Sequence, residues 1–195
     1  MVGIDDGFFP PSFKELKLST FLVGTLYQGK LPKDVKVKLV TVDGTDGTER
    51  AVEILRELGG ADVVFLDGVT VAGFNTIDPD SLLQFSKLVV VIYKFEPSIE
   101  KIEKALKSHF TDWGSRLGVI LKAYSRSNLI ETRWKTMRVA LFGELEIDVA
   151  KLISSVQLVS SMPEPLRISD VVASALSRNS VLLNSASRKR SSSYI

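Results

Sequence analysis

Two aspartates stand at the ends of apolar runs that are typical of buried strands. Asp5 follows Val2-Gly3-Ile4, and Asp67 follows Val63-Val64-Phe65-Leu66. A third aspartate, Asp46, comes just before a segment with helical spacing. If the fold brings the three carboxylates close together, their mutual repulsion is costly unless a cation or a proton joins them. Two divalent ions about 4 Å apart could then activate a water and stabilise the leaving oxygen in phosphodiester hydrolysis.

The same aspartates have a plainer explanation, which their spacing leaves open. Aspartate is common after strands because its side chain forms turns and caps the first turn of helices. Asp6 and Asp43 are rival ligands, since each lies within three residues of a preferred one. The pattern therefore allows a metal site without requiring it.

Composition limits the chemistry before any motif is considered. The chain has no cysteine and a single histidine, His109. Disulfides, thiolate zinc sites, cysteine nucleophiles and multi-histidine metal sites are thereby excluded. Oxygen ligands favour Mg²⁺ or Mn²⁺. His109 lies late in a predicted amphipathic helix and is interpreted as a surface or packing residue.

Charge is unevenly distributed although the net charge is only +2. Residues 43–80 contain nine acids and two bases, whereas residues 87–138 contain eleven bases and five acids. An acidic centre with basic flanks suits metal ions that hold a polyanion, and ordinary solvated surfaces would give the same counts.

Hydrophobic patterns predict the elements that must position these residues. Strands are expected over residues 2–5, 18–28, 35–42, 63–66, 88–93 and 137–142, with residues 29–32 joining a hairpin. Helices are expected over residues 51–58, 80–85, 97–110, 113–122, 147–159 and 165–176. This order predicts an α/β protein with a ribonuclease H-like mixed sheet of five strands, flanked by helices. In that order the first strand pairs parallel to the strand after the first long helix, which would place Asp5 beside Asp67.

Length favours a single domain over residues 1–184, followed by a flexible basic tail over residues 185–195. The first residues lack the pattern of a secretory signal, and the longest apolar run, residues 88–93, is too short to span a bilayer. We therefore expect a cytoplasmic protein with no membrane partner. The oligomeric state is left open.

Four segments of the chain resemble an archaeal family, the endonuclease dU family, which is related to endonuclease V. The likeness extends over nearly the whole ordered chain, from residue 3 to residue 170. The segments are Gly3-Ile4-Asp5-Asp6-Gly7, Asp43-Gly44-Thr45-Asp46-Gly47-Thr48, Asp67-Gly68-Val69-Thr70-Val71-Ala72-Gly73-Phe74-Asn75 and Pro163-Glu164-Pro165-Leu166-Arg167.

The resemblance implies a metal-dependent DNA repair endonuclease, an enzyme that hydrolyses DNA near deaminated bases and deoxyuridine in particular. It implies that Asp5 and Asp67 bind the metal. Asp46 falls where endonuclease V has a catalytic glutamate and would complete the site. Asp170 is similar to an aspartate of the carboxy-terminal helix, and Lys94 is similar to a lysine near the scissile phosphate.

Candidate substrate contacts are Asp6, Asn75 and Phe74. Asn75 either shapes a turn or contacts a base or phosphate, and Phe74, like Phe8 and Phe9, either stacks on a displaced base or packs in the core. The chain departs from endonuclease V in two places beyond Asp46. It lacks the aromatic-proline wedge before that residue, and Glu144 replaces an expected histidine.

Two other functions remain open from the sequence. One is a metal-dependent nuclease that acts on RNA or structured DNA, and the other is a non-catalytic nucleic-acid-binding module. A small-molecule phosphohydrolase is a weaker option because no glycine-rich phosphate loop of the Walker type is present.

Overall fold

A seven-stranded mixed sheet forms the centre of the computed structural model, which describes residues 1–191, with side chains to residue 180. The strand order is β3-β2-β1-β4-β7-β9-β8. The strands are β1 (Val2–Asp6), β2 (Ser19–Gln28), β3 (Leu31–Thr41), β4 (Ala61–Asp67), β5 (Thr70–Val71), β6 (Asn75–Thr76), β7 (Ser86–Tyr93), β8 (Ser127–Glu131) and β9 (Thr136–Gly143). The helices are α1 (Ser12–Glu15), α2 (Gly47–Glu57), α3 (Pro79–Leu82), α4 (Ile99–His109), α5 (Trp113–Ser125), α6 (Val149–Val156) and α7 (Glu164–Ser191).

The strand directions confirm the predicted mixed sheet flanked by helices. β1, β4 and β7 are parallel, while β2, β3, β9 and β8 are joined by antiparallel pairing. The predicted number of strands, five, was wrong. β8 was not predicted because its sequence, Ser-Asn-Leu-Ile-Glu, is largely polar and half of its pairing surface is an open edge. The label ribonuclease H-like stays a prediction.

The core has two layers, one on each face of the sheet. On one face, Ile54 and Leu55 of α2 and Ile120 of α5 pack against strand residues. On the other face, Ile153 of α6 and Leu166 of α7 pack against a second set of strand residues that includes Phe65. The alternation of side chains along each strand therefore decides which layer a residue enters.

The last helix, α7, lies unusually close to the first strand. A Cβ atom on Gly3 would lie 2.3 Å from the backbone of Pro165 and Leu166, and one on Gly7 would lie 1.8 Å from Ser177 Oγ. The Ser169 hydroxyl donates to the Gly3 carbonyl at 2.8 Å. Glycine at both positions thus permits a backbone approach that any other residue would prevent.

Element boundaries differ modestly from prediction at several places. The β2–β3 hairpin turns over Gly29 and Lys30 alone, because β3 already begins at Leu31. The predicted tail, residues 185–195, overlaps the end of α7, which runs to Ser191, and residues 192–195 lie outside the described residues. Among the described residues, no helix is both long and apolar enough to cross a membrane.

Candidate active site

The pairing of β1 with β4 places Asp5 beside Asp67. The register pairs Gly3 with Phe65 and Ile4 with Leu66, so the two aspartates occupy the next position. Since side chains alternate along strands, both point to the layer that contains Phe65, which is the layer covered by α7. The predicted juxtaposition of these two carboxylates is what the register produces.

Lys94 joins this pair from the neighbouring strand. Asp67 is paired with Ile92 of β7, and Lys94 lies two residues further along. Its ammonium forms an ion pair with the Asp67 carboxylate. Burial alone would lower the pKa of Lys94, but the hydrogen bond and charge of Asp67, together with the charges of Asp5 and Asp170, raise it. Lys94 is therefore a cation fixed among carboxylates.

Burial makes the Asp5 carboxylate costly to ionise. It raises the pKa of Asp5 well above its usual range, and the charges of Asp67 and Asp6 raise it further. Burial also raises the pKa of Asp67, partly offset by Lys94 and increased by the charge of Asp170. The side chains that end β1 and β4 thus repel one another, as carboxylates do when no cation lies among them.

Asp6 and Asp170 complete the cluster. Burial raises the pKa of Asp6 to about 6, although its Oδ2 accepts a 2.8 Å hydrogen bond from the Ala72 N–H. The charges of Asp67 and Asp170 also raise the pKa of Asp6. Asp170 reaches this position because α7 crosses β1 closely. Its helix contributes a carboxylate from the far end of the chain.

The donor set suits a hard divalent cation in its chemistry. All the acidic groups offer oxygen, which Mg²⁺ and Mn²⁺ prefer, and the raised pKa values mark a place where added positive charge would be favourable. Within the described residues, however, no three acidic or histidine side chains already converge as a ligand set. Lys94 supplies positive charge to Asp67 instead.

The structure does not bring Asp46 into this cluster. Its carboxylate accepts hydrogen bonds from the Thr41 hydroxyl at 3.0 Å and from Asn75 Nδ2 at 2.7 Å. Burial raises the pKa of Asp46, but these hydrogen bonds outweigh it and hold the pKa below its usual value. Asp46 therefore joins β3 to the start of α2, and the expectation that it completes the metal site has no support in this arrangement.

Asn75 is likewise occupied within the protein. Its side chain is fully buried, accepts from the Gly47 N–H at 2.8 Å, and donates to the Thr41 carbonyl at 2.9 Å. The turn-forming alternative describes it, and a direct substrate contact does not. Phe74 lies half-buried with its ring edge-on to Phe110, at 5.7 Å between centroids.

Phe8 and Phe9 differ in their surroundings. The Phe9 ring packs against the larger core layer, with the Lys14 ammonium 5.9 Å from its centroid. Phe8 is exposed, and the Arg178 guanidinium lies 5.2 Å from its centroid. Core packing thus describes Phe9 and not Phe8.

A buried arginine that sequence patterns did not reveal lies close to Phe74. Arg116 Nη1 donates to the Gly44 carbonyl at 2.8 Å and to the Phe74 carbonyl at 2.7 Å, while Nε donates to Asp112. It thereby ties two loops to α5. An arginine in a helix carries no signal of such a role, because its partners are backbone carbonyls distant in the chain.

These loops border a cleft of about 750 Å³. Its walls combine aromatic rings with charged groups and include Lys14, Asp43, Phe74, His109, Phe110 and Arg116. The cleft is linked to the acidic cluster by two hydrogen bonds through one residue: the Ala72 N–H donates to Asp6, and the Ala72 carbonyl accepts from the Asp43 N–H. Its size is in the range of small-ligand pockets.

Comparison with known proteins identifies the family. The endonuclease dU family model matches residues 1–177. The chain belongs to the endonuclease dU family. A UPF0215 protein of Methanothermobacter thermautotrophicus is 36% identical over 181 residues, covering 90% of this chain and 86% of that protein. One from Thermococcus gammatolerans is 34% identical over 180 residues, covering 90% and 91%. Membership in this family supports a nuclease role.

Solved structures show the same fold. A protein of unknown function from Archaeoglobus fulgidus has a TM-score of 0.73 at 25% identity, covering 90% of this chain and 96% of that one. Human ENDOV has a TM-score of 0.55 at 11% identity, covering 92% and 84%. Ciona intestinalis endonuclease V, in complex with a 24mer DNA containing an inosine followed by a ribo-adenosine, has a TM-score of 0.52 at 12% identity, with the same coverage. The endonuclease dU chain thus shares the fold of endonuclease V.

Proposed function

We propose that this endonuclease dU family protein is a divalent-metal-dependent DNA repair endonuclease that hydrolyses phosphodiester bonds near deaminated bases, with deoxyuridine as the preferred lesion. The observation that carries the proposal is the cluster of Asp5, Asp67, Asp170 and Lys94 at the carboxyl ends of parallel strands. Ligand sites in such sheets lie at this end. The family membership supports the same conclusion.

Asp5 and Asp67 are the residues that would hold Mg²⁺ or Mn²⁺, with Asp170 binding a second ion or positioning the first. A bound ion would supply an activated water and a Lewis acid for the phosphate. The protein's own part is to keep buried carboxylates close together in a site with little water. Binding a cation there would lower the pKa of both Asp5 and Asp67 and relieve their repulsion.

Lys94 would steady the phosphate. Its ammonium now pairs with Asp67, and a phosphate oxygen near the cluster would share that charge. Asp46 would act indirectly in this proposal, because its hydrogen bonds to Thr41 and Asn75 shape the loops beside the site. Asp6 would hold the Ala72 loop through its accepted hydrogen bond and would contact the substrate only at the rim.

The cleft beside Phe74 suits a displaced base. Stacking on the Phe74 and Phe110 rings would bind its faces, and exposed charged groups would bind its polar edge. The Ciona intestinalis neighbour was solved with DNA that contains inosine, itself a deaminated nucleoside, which favours this class of substrate.

The test is cleavage of matched oligonucleotides by the purified protein. Each carries a single deoxyuridine, hypoxanthine or ribonucleotide, or no lesion, and is incubated with Mg²⁺, with Mn²⁺ or with EDTA. We expect metal-dependent cleavage of the deoxyuridine strand above all others. Preferential cutting at the ribonucleotide would replace DNA by RNA as substrate, and equal cutting with EDTA would overturn the metal requirement.

A matched pair of variants tests the site itself. Asp67→Asn removes the carboxylate at the carboxyl end of β4, and Asp62→Asn makes the same change near the amino end of that strand, where Asp62 pairs with Lys87 in solvent. We expect Asp67→Asn to lower cleavage by about 100-fold or more and Asp62→Asn to leave it unchanged. Equal activity of the two variants would contradict the assigned site.

A non-catalytic nucleic-acid-binding protein is the second candidate. The ion pair between Lys94 and Asp67 favours it, because it compensates one carboxylate without a metal. Titration calorimetry with Mn²⁺ separates the two candidates. Heat of binding that Asp5→Asn abolishes supports the enzyme, and no heat together with retained oligonucleotide binding supports the alternative.

A further inference from the structure

The loop after β7 holds an aromatic ring in solvent beside the acidic cluster. Phe95 is 85% exposed, the largest exposure among the large apolar side chains that the structure describes. It directly follows Lys94, whose ammonium pairs with Asp67. Exposing a whole phenylalanine ring to water is unfavourable, so its persistence here suggests a ligand that covers it.

Both neighbours of Phe95 are anchored. Lys94 is held at Asp67 on one side, and on the other the Glu96 carboxylate accepts from Arg138 Nε at 2.7 Å and from the Tyr124 hydroxyl. The backbone is therefore fixed on either side of the ring. A ring held in this way loses little conformational freedom when a ligand covers it.

Strand pairing places a basic turn at the same end of the sheet. β9 runs antiparallel to β7 and pairs Arg138 with Tyr93, so the residues before Arg138 lie beyond the carboxyl end of β7. These residues form the β8–β9 turn, in which Arg133, Trp134 and Lys135 are exposed. The order of strands thus puts the turn next to the Phe95 loop.

The turn is rigid in its backbone and open in its side chains. The Arg133 N–H donates to Ser154 Oγ at 3.0 Å, and Trp134 Nε1 donates to the Gln157 carbonyl at 3.3 Å. Trp134 nonetheless remains 50% exposed. Two aromatic surfaces and two cations are presented together on anchored backbone.

Exposed rings interspersed with cations are the elements that bind single-stranded nucleic acid, since bases stack on rings and phosphates approach cations. We propose that Phe95 and the Arg133-Trp134-Lys135 turn bind the strand that flanks the cleaved bond. Phe95 stacks on a base next to the scissile phosphate, and Arg133 and Lys135 bind phosphates further along. This inference rests on the proposed nuclease function and adds the substrate surface on the β7–β9 side of the site.

The first test measures binding of a fluorescein-labelled single strand with one deoxyuridine, in EDTA to prevent turnover. Phe95→Ala should weaken affinity by about 5- to 100-fold, and Phe95→Trp should restore it. The control is Leu31→Ala, which removes a comparably exposed apolar side chain at the opposite end of the sheet. Equal affinity of Phe95→Ala and the wild type, or equal losses in both alanine variants, would overturn the proposal.

Trp134 provides a direct local signal. In a Trp113→Phe variant the tryptophan emission comes from Trp134 alone, since the chain has two tryptophans. Oligonucleotide binding should quench this emission, and Arg133→Ala with Lys135→Ala should reduce the salt dependence of the affinity by about 0.7 per lost phosphate contact. Binding without quenching or without a change in salt dependence would place the strand elsewhere.

Failure of this inference is distinguishable from failure of the proposed function. If the wild type cleaves deoxyuridine strands and Phe95→Ala cleaves and binds them equally well, the surface is refuted and the nuclease stands. If the wild type neither binds nor cleaves any of the strands, the nuclease proposal fails first. If Phe95→Ala changes sedimentation of the free protein and not strand binding, Phe95 is a contact between copies of the chain and the proposal is refuted.

Discussion

Asp5 and Asp67 occupy neighbouring positions at the ends of two parallel strands, one residue beyond the pair formed by Ile4 and Leu66. The backbone pairing of β1 with β4 leaves them no means of moving apart without breaking the sheet. Their repulsion is therefore a permanent feature of the metal-free protein, relieved by protons, by Lys94 or by an added cation.

Asp6→Asn should stabilise the metal-free protein in a pH-dependent manner. Burial raises the pKa of Asp6 from 3.8 to about 6, so the folded wild type keeps a proton that the unfolded chain releases. Wild-type stability from this group is full below pH 3.8 and is lost as the pH rises towards 6. The asparagine can still accept from the Ala72 N–H. The advantage of the variant should grow between pH 4 and pH 6 to about 3 kcal/mol and then level off.

Urea unfolding in EDTA from pH 4 to pH 8 measures this difference. Asp34→Asn serves as the control, because Asp34 lies in solvent beside Lys36. A difference between Asp6→Asn and the wild type that stays constant across this range would contradict the cause given for the shift.

Gly7→Ala should separate α7 from β1. The added Cβ would meet Ser177 Oγ and the Ala173 carbonyl, which lies 2.5 Å away. The helix must shift, which overpacks the core at a cost of about 1–3 kcal/mol and moves Asp170 away from Asp67. Thermal unfolding and cleavage rate should fall together.

Gly118→Ala is the matched control for that change. Gly118 lies within α5, and no atom lies within 4 Å of its added Cβ. Alanine there should stabilise the helix by about 0.5–1 kcal/mol. If Gly7→Ala left both stability and activity unaltered, the close approach of α7 would have no role in placing Asp170.

Arg116→Lys should loosen the cleft while conserving charge. The lysine cannot donate simultaneously to Gly44, Phe74 and Asp112 as the guanidinium does. Loss of these hydrogen bonds should cost about 1–3 kcal/mol of stability. Preference for deoxyuridine over undamaged strands should fall more than the cleavage rate itself. Retained preference would show that the cleft does not select the base.

Asp46→Asn separates a loop-positioning role from a metal-binding role. In the positioning role, Mn²⁺ affinity should be unchanged while the free energy of unfolding falls by about 1–2 kcal/mol through weaker hydrogen bonds to Thr41 and Asn75. Calorimetry with Mn²⁺, compared with Asp5→Asn, provides the measurement. Loss of Mn²⁺ binding in both variants would return Asp46 to the metal site.

The sequence predicted the strands that carry Asp5 and Asp67 because uninterrupted apolar runs, such as residues 63–66, mark buried parallel strands without any knowledge of their neighbours. It misjudged Asp46 and Asn75, because whether a polar side chain faces a site or another loop depends on contacts between distant segments. The side chains of Arg116 and Phe95 could not be assigned for the same reason. Their roles follow from where α5 and β9 pack, which no local pattern encodes.

The crossing of α7 over β1 also has a consequence for biosynthesis. Asp5 is among the first residues to leave the ribosome and Asp170 is among the last, yet both belong to one cluster. A nascent chain that has already formed its first strands still lacks the helix that covers Gly3 and Gly7. Hydrolytic capacity would thus arise only when translation is nearly complete, and fragments released early would be harmless to the genome.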